Sequence, residues 1–170
     1  MAESSAQVVR RYLEDVVAAE TAFASQYGEI VRQIPSGSAR ESLKSNLDRM
    51  VNLQEQLAKR LHQLGGSVPG ARGFFAQLFG LGRKYVSRHE PMRNDPVKNL
   101  IHGFAINNNE LAMYEALANV SEAAGDVDTA DLARLNQQEV RLAAEAIWAF
   151  LKVACSESLV PAQRLPQKGK

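Results

Sequence analysis

Four long stretches of this chain carry an apolar residue at every third or fourth position, and the breaks between them fall where helices stop. The first runs from about Ser4 to Ile34 on Tyr12, Val16, Ala19, Phe23, Tyr27, Ile30 and Ile34, and ends at Pro35, Ser36 and Gly37. The second begins near Ser38, where Ser38 and Glu41 read as a capping box, and carries Leu43, Leu47, Met50, Leu57, Leu61 and Leu64 to a stop at Gly65 and Gly66. The third opens with Asn94 or Asp95 as N-cap and Pro96 in the first turn, and carries Val97, Leu100, Phe104, Leu111 and Ala118 to Gly125. The fourth follows at once and carries Leu132, Leu135, Leu142, Ala146, Ala149 and Val153. No stretch alternates with the period of a strand, so the fold class is all-α.

The connections arrange these helices. Very short links join the first to the second and the third to the fourth, so each pair forms an antiparallel hairpin. Between the hairpins, from Gly65 to Arg93, lie roughly thirty residues, too many for a bare loop in a compact domain. Within them "GFFAQLFGLGRKYVSR" is apolar and aromatic enough to dock as a short extra helix. The expected layout is one four-helix-bundle domain over residues 1–158 with a crossover at 65–93. A flexible tail at 159–170, proline-broken and basic, follows it.

Composition narrows the function. Twenty Lys and Arg against 19 Asp and Glu leave a net charge of +1, which gives no global attraction to nucleic acid or an anionic membrane. The single cysteine, Cys155, rules out an intramolecular disulfide and a cysteine-rich zinc site, and suits a reducing compartment. The N-terminal stretch lacks the basic and apolar regions of a secretory leader, and no segment has the length of a membrane span. The expectation is a cytoplasmic protein with no nucleic-acid or membrane partner.

The apolar stripes are interrupted by polar residues near the middle of each helix. Glu20 lies between Val16 and Phe23 in the first; the step from Met50 to Leu57 passes through Gln54 in the second. In the third, the step from Phe104 to Leu111 passes through Asn108 with Asn107 alongside; in the fourth, Leu135 to Leu142 passes through Glu139. In an antiparallel bundle these positions meet at similar depth. The residues Glu20, Gln54, Asn107, Asn108 and Glu139 are therefore expected to form a polar core layer, the amides supplying donors that a buried carboxylate needs. The competing reading leaves them as solvated boundary positions.

Four stretches carry a resemblance: "DVVAAETAF", "LAKRLHQLGG", "NDPVKNLIHGFAINNNELAMYEAL" and the last helix with "NQQEV". Over roughly Tyr12 to Val153 the chain resembles the bacterial ferritin-like family typified by the stress-associated YciF and YciE proteins. The closest correspondence runs from Ile106 to Leu117, where Glu110 and Tyr114 keep their expected places. The resemblance implies a ferritin-like antiparallel bundle. It also implies a di-metal site built from one glutamate on each of two helices and a Glu-x-x-His or Glu-x-x-Asp pair on each of the others.

Carried over, Glu20 matches the helix-one carboxylate and Glu139 the helix-four one, but Leu142, three residues on, binds no metal. Helix two offers Asp48 and Asn52, and helix three offers Asn107 followed by Glu110. Two divalent metals are balanced by about four carboxylates, and this chain gathers Glu20, Glu110 and Glu139 at most. His62, His89 and His102 have no ligand spacing and do not fill the gap.

The expectation is thus a non-catalytic structural or interaction protein, linked by resemblance to stress, without cofactor and with a reduced metal site. The alternative is an iron or manganese protein using Glu20, Glu110 and Glu139. A homodimer or larger homo-oligomer is expected, and Phe74, Phe75 and Phe79 in the crossover are a candidate protein-binding surface. The glycines there do not form a phosphate loop, since no Gly-Lys-Ser/Thr ending and no preceding strand is present, and no serine stands in a nucleophile elbow.

Overall fold

The structure, a computed structural model, describes residues 3–67 and 95–157. The crossover from 68 to 93, its expected short helix with Phe74, Phe75 and Phe79, and the tail at 159–170 lie outside the described residues. Four helices make up the described chain: α1 (Ser5–Gln33), α2 (Ser38–Gln63), α3 (Pro96–Ala124) and α4 (Val127–Glu157).

Local chemistry sets their ends. Ser4 caps α1: its Oγ accepts from the Gln7 N–H at 3.3 Å, and the Ser4 N–H donates to Gln7 Oε1 at 2.8 Å. The box expected at Ser38 and Glu41 does not form; Gly37 is the N-cap of α2 and offers no side chain. Asp95 caps α3 by accepting from the Lys98 N–H at 3.2 Å, with Pro96 inside the first turn where its missing N–H is not needed. Gly125 ends α3 at φ 75°, a left-handed position that a Cβ disfavours, and the chain turns directly into α4.

Side-chain bonds fix how the helices lie. Gln54 donates to Thr21 at 2.6 Å and Asn46 donates to Tyr27 at 3.3 Å, so α2 descends as α1 ascends. Tyr114 reaches Glu20, while Gly103 packs beside Tyr27 and Ile30, so α3 is antiparallel to α1 as well. Arg60 near the end of α2 pairs with Asp126 at 2.6 Å and donates to Thr129 at 2.9 Å, tying α2 to the start of α4. Each helix thus packs against two antiparallel neighbours. Gly66 and Asp95 fall at opposite ends, which is the topology of two hairpins joined by one long crossover.

The core runs through Leu13, Val17, Phe23, Tyr27, Leu43, Met50, Leu57, Leu61, Tyr114 and Leu117. The sequence reading of α4 is corrected here. Leu135 and Leu142 were expected inside, but they are 54% and 57% exposed. The buried face of α4 is instead Ala133, Asn136, Val140, Ala143, Ala144 and Ile147. Small residues let α3 and α4 approach closely: a Cβ added to Gly103 would sit 3.4 Å from Ile147 Cδ1. A leucine stripe weighs most in any hydrophobic count, yet the close contact selected the alanine face.

Candidate functional site

Seven polar or charged residues are buried among those described, and four of them, Glu20, Asn107, Glu110 and Asn136, gather at mid-bundle around the Tyr114 ring. α1 supplies Glu20; α3 supplies Asn107, Glu110 and Tyr114, one turn apart on one face; α4 supplies Asn136. The Tyr114 hydroxyl donates to Glu20 Oε1 at 2.7 Å. The Asn107 amide, oriented so that both ends are satisfied, donates to Glu110 Oε2 at 3.3 Å and accepts from the Ala144 N–H at 3.1 Å. Asn136 sits against the Tyr114 hydroxyl, but neither of its amide atoms reaches a partner in hydrogen-bond geometry.

The two acids are electrically coupled. Burial pushes the Glu20 carboxyl up to about 7, against the opposing pull of the Tyr114 hydroxyl, Glu110 and the Arg49 charge. Burial, and next the nearby Glu20 charge, hold Glu110 well above the usual carboxyl range, with Arg49 pulling the other way. Burial and then Glu20 raise the Tyr114 phenol, so it stays a donor. The remaining oxygens, Glu20 Oε2 and Glu110 Oε1, are buried without a hydrogen-bond partner, and the two acids act on each other so that Glu20 is lowered and Glu110 raised, which favours the proton on Glu110.

Sequence-expected residues divide accordingly. The structure brings Glu20, Asn107 and Glu110 together. Asn108 is exposed and its side chain donates to its own helix at the Phe104 carbonyl, 2.8 Å away, so it leaves the expected layer. Gln54 lies at the α1–α2 boundary on Thr21, because Leu53 is the inward residue of that turn. Glu139 is only half-buried, and its neighbour Val140 takes the core position. Asp48 and Asn52 are exposed. Replacing Glu139 by leucine is therefore expected to change stability by less than about 0.5 kcal/mol in urea denaturation. A loss several times larger would put its carboxylate with the buried group.

Two residues were missed. Asn136 follows from the shifted α4 face. Arg49 carries three guanidinium nitrogens that are buried and have no hydrogen-bond partner among the described residues. The signal for both was the alternative stripe: once Leu53 faces inward, Asn46 and Arg49 share its face at helical spacing.

Among the described residues, no three His, Cys, Asp or Glu side chains converge so as to hold a metal ion. No described helix is long and apolar enough to cross a membrane.

Four helices with antiparallel neighbours, one crossover and acids turned inward at mid-height make this a ferritin-like four-helix bundle. Solved structures of that fold superpose on nearly the whole chain. A protein of Xanthomonas campestris pv. campestris matches at TM-score 0.74 and 18% identity, covering 90% of this chain and 94% of its own. The E. coli stress protein YciF matches at TM-score 0.75 and 12% identity, covering 92% and 99%. A dodecameric thioferritin of Bacteroides fragilis, a bacterioferritin-related protein, matches at TM-score 0.71 and 15% identity, covering 91% and 92%. At such identities the likeness is one of fold. The sequence matches no protein-family model and no curated protein.

Proposed function

We propose that this chain is a non-catalytic ferritin-like protein with a structural role exercised through self-association, its centre a hydrogen-bonded polar cluster instead of a di-metal site. The observation that carries the reading is the donor set at mid-bundle. Two carboxyl groups, Glu20 and Glu110, meet there with a tyrosine hydroxyl and two amides, and α2 adds a guanidinium, that of Arg49, whose nitrogens are buried without a hydrogen-bond partner among the described residues. A pair of divalent cations needs about four carboxylates, with imidazoles to complete the shell. Amides and a cation do not fit that role, and Glu139, wanted as a third acid, stands at the boundary.

Self-association is supported by the outer face of α4. Leu135, Leu142 and Val153, 54%, 57% and 54% exposed, lie on one stripe at helical spacing. We assign this stripe to a second copy of the chain. The net charge of +1 leaves little repulsion between copies, and one fold neighbour is a dodecamer. A link to stress rests on the likeness to YciF, and a cytoplasmic location on the single cysteine.

Two measurements test the proposal. Protein purified without chelator is expected to carry only trace iron, manganese or zinc by elemental analysis; stoichiometric metal would favour the alternative in which Glu20 and Glu110 bind it. Light scattering is expected to show a dimer or larger species that Leu142→Glu converts to monomer. A wild-type monomer at all concentrations would remove the assembly half of the reading.

A further inference from the structure

We infer that the guanidinium of Arg49 is the built-in counter-cation of the Glu20 and Glu110 pair, supplying with one fixed charge what bound metal supplies in a carboxylate-lined bundle. The inference rests on the metal-free reading of the centre given above.

Position is the first argument. The bonds from Asn46 to Tyr27 and from Gln54 to Thr21 bracket Arg49 on α2 and hold that stretch against α1. Arg49 shares a face with Asn46 and Leu53 by helical spacing, and Leu53 is 4% exposed. All three nitrogens of its guanidinium are shielded from solvent. The guanidinium makes no hydrogen bond and no direct ion pair among the described residues, so the lowering it exerts on Glu20, Glu110 and the Tyr27 phenol, groups contributed by two other helices, acts through space.

Charge balance is the second. A lone ionised carboxylate in this core would be strongly disfavoured, and so would a lone guanidinium. Together, one guanidinium, one ionised acid and one protonated acid sum to zero. The arginines that form ion pairs among the described residues hold acids elsewhere: Arg10, Arg11 and Arg32 pair with Glu14, Glu3 and Glu29, Arg60 clamps Asp126 and Asp128, and Arg134 binds Glu115 and Glu122 on the outside of the α3–α4 hairpin. Arg49 is the cation whose charge reaches both buried acids.

Two consequences follow. A covalently held cation makes folding independent of divalent metal supply. It also closes the centre to such ions, because an arriving metal would meet a like charge in a desolvated space. Removing the guanidinium therefore both destabilises the pair and opens a site for a small divalent cation.

The test compares wild type, Arg49→Lys, Arg49→Met, Glu20→Gln and the Arg49→Met/Glu20→Gln double variant by thermal melting at neutral pH, with EDTA or with millimolar manganese chloride. Arg49→Met is expected to lower Tm by about 10 °C, and Arg49→Lys, which keeps the charge, by less than half of that. Adding Glu20→Gln to Arg49→Met should recover at least half of the loss, since neutralising the acid removes the need for its partner. Manganese should raise the Tm of Arg49→Met by several degrees and leave wild type unchanged.

A loss of only a degree or two for Arg49→Met, or additive losses in the double variant, would overturn the role of Arg49. If Arg49→Met does not fold, the double variant decides: a folded double variant supports the coupling and an unfolded one overturns it. A manganese-dependent rise in wild type would instead overturn the metal-free reading, while the coupling between Arg49 and Glu20 would still be read from the EDTA arm.

Discussion

Tyr114→Phe is expected to destabilise the protein by about 2 kcal/mol at pH 8 and by much less at pH 5. The hydroxyl donates to Glu20 Oε1 at 2.7 Å inside a core where both residues are fully buried. Phenylalanine fills the same space but leaves that oxygen without its donor, and the penalty falls mainly on the ionised acid, because hydrogen bonds to charged groups are the stronger ones. The hydroxyl also pulls the Glu20 carboxyl downward in pKa, so its loss pushes the acid further up. Where Glu20 is already protonated little remains to lose. Urea denaturation of both proteins at the two pH values measures the difference; an equal cost at both would mean that the hydroxyl does not serve the carboxylate.

Wild-type stability is expected to fall as the solution passes from weakly acidic to neutral. In the unfolded chain Glu20 takes its ordinary value of 4.5, whereas in the bundle burial raises it to about 7. The folded state therefore holds the proton more tightly. Its contribution to stability is complete below about pH 4.5 and is lost as pH rises through 7. Glu110, also raised by burial, acts in the same direction.

Two acids at helix starts limit the acid side. At Asp126, burial alone would raise the carboxyl, but the Thr129 hydroxyl and N–H and the Arg60 guanidinium together hold it below its ordinary 3.8. Asp95, bonded by the Lys98 N–H, is also lowered. Their contributions are present above about pH 4 and lost below it. Maximum Tm is thus expected in the weakly acidic range, with a decline of several degrees by pH 8. Glu110→Gln removes one of the two raised acids and should flatten that decline. Calorimetry across the range checks it: a Tm that climbs from pH 5 to pH 8 would show that the pair is not held protonated.

The asparagines of α3 show how much of the site could be read in advance. Three in a row in the middle of a helix signalled that something polar faces inward, and Asn107 does. Which of the three it is depends on rotation by one residue, about 100° on a helix, and no count of leucines fixes that angle. Phe104 and Leu111 drew the expected stripe toward Asn108, whereas the buried face is Gly103, Asn107, Glu110 and Tyr114. The same displacement on α4 substituted Glu139 for Asn136, and on α2 it hid Arg49 behind Gln54. Glu20 was read correctly because Val16, Val17, Phe23 and Tyr27 surround it with unambiguous core residues.

What the sequence determined by itself was the four long helices and their pairing into hairpins, because period, proline and glycine act locally and need no partner. What only the tertiary structure decided was the rotation of each helix about its own axis. That angle comes from how closely neighbours can approach, so the small residues Gly103, Ala133, Ala143 and Ala144 outweighed the exposed Leu135 and Leu142. With the rotation set, two acids from two helices, distant in sequence, came to share one desolvated centre, and a third helix turned the guanidinium of Arg49 away from solvent.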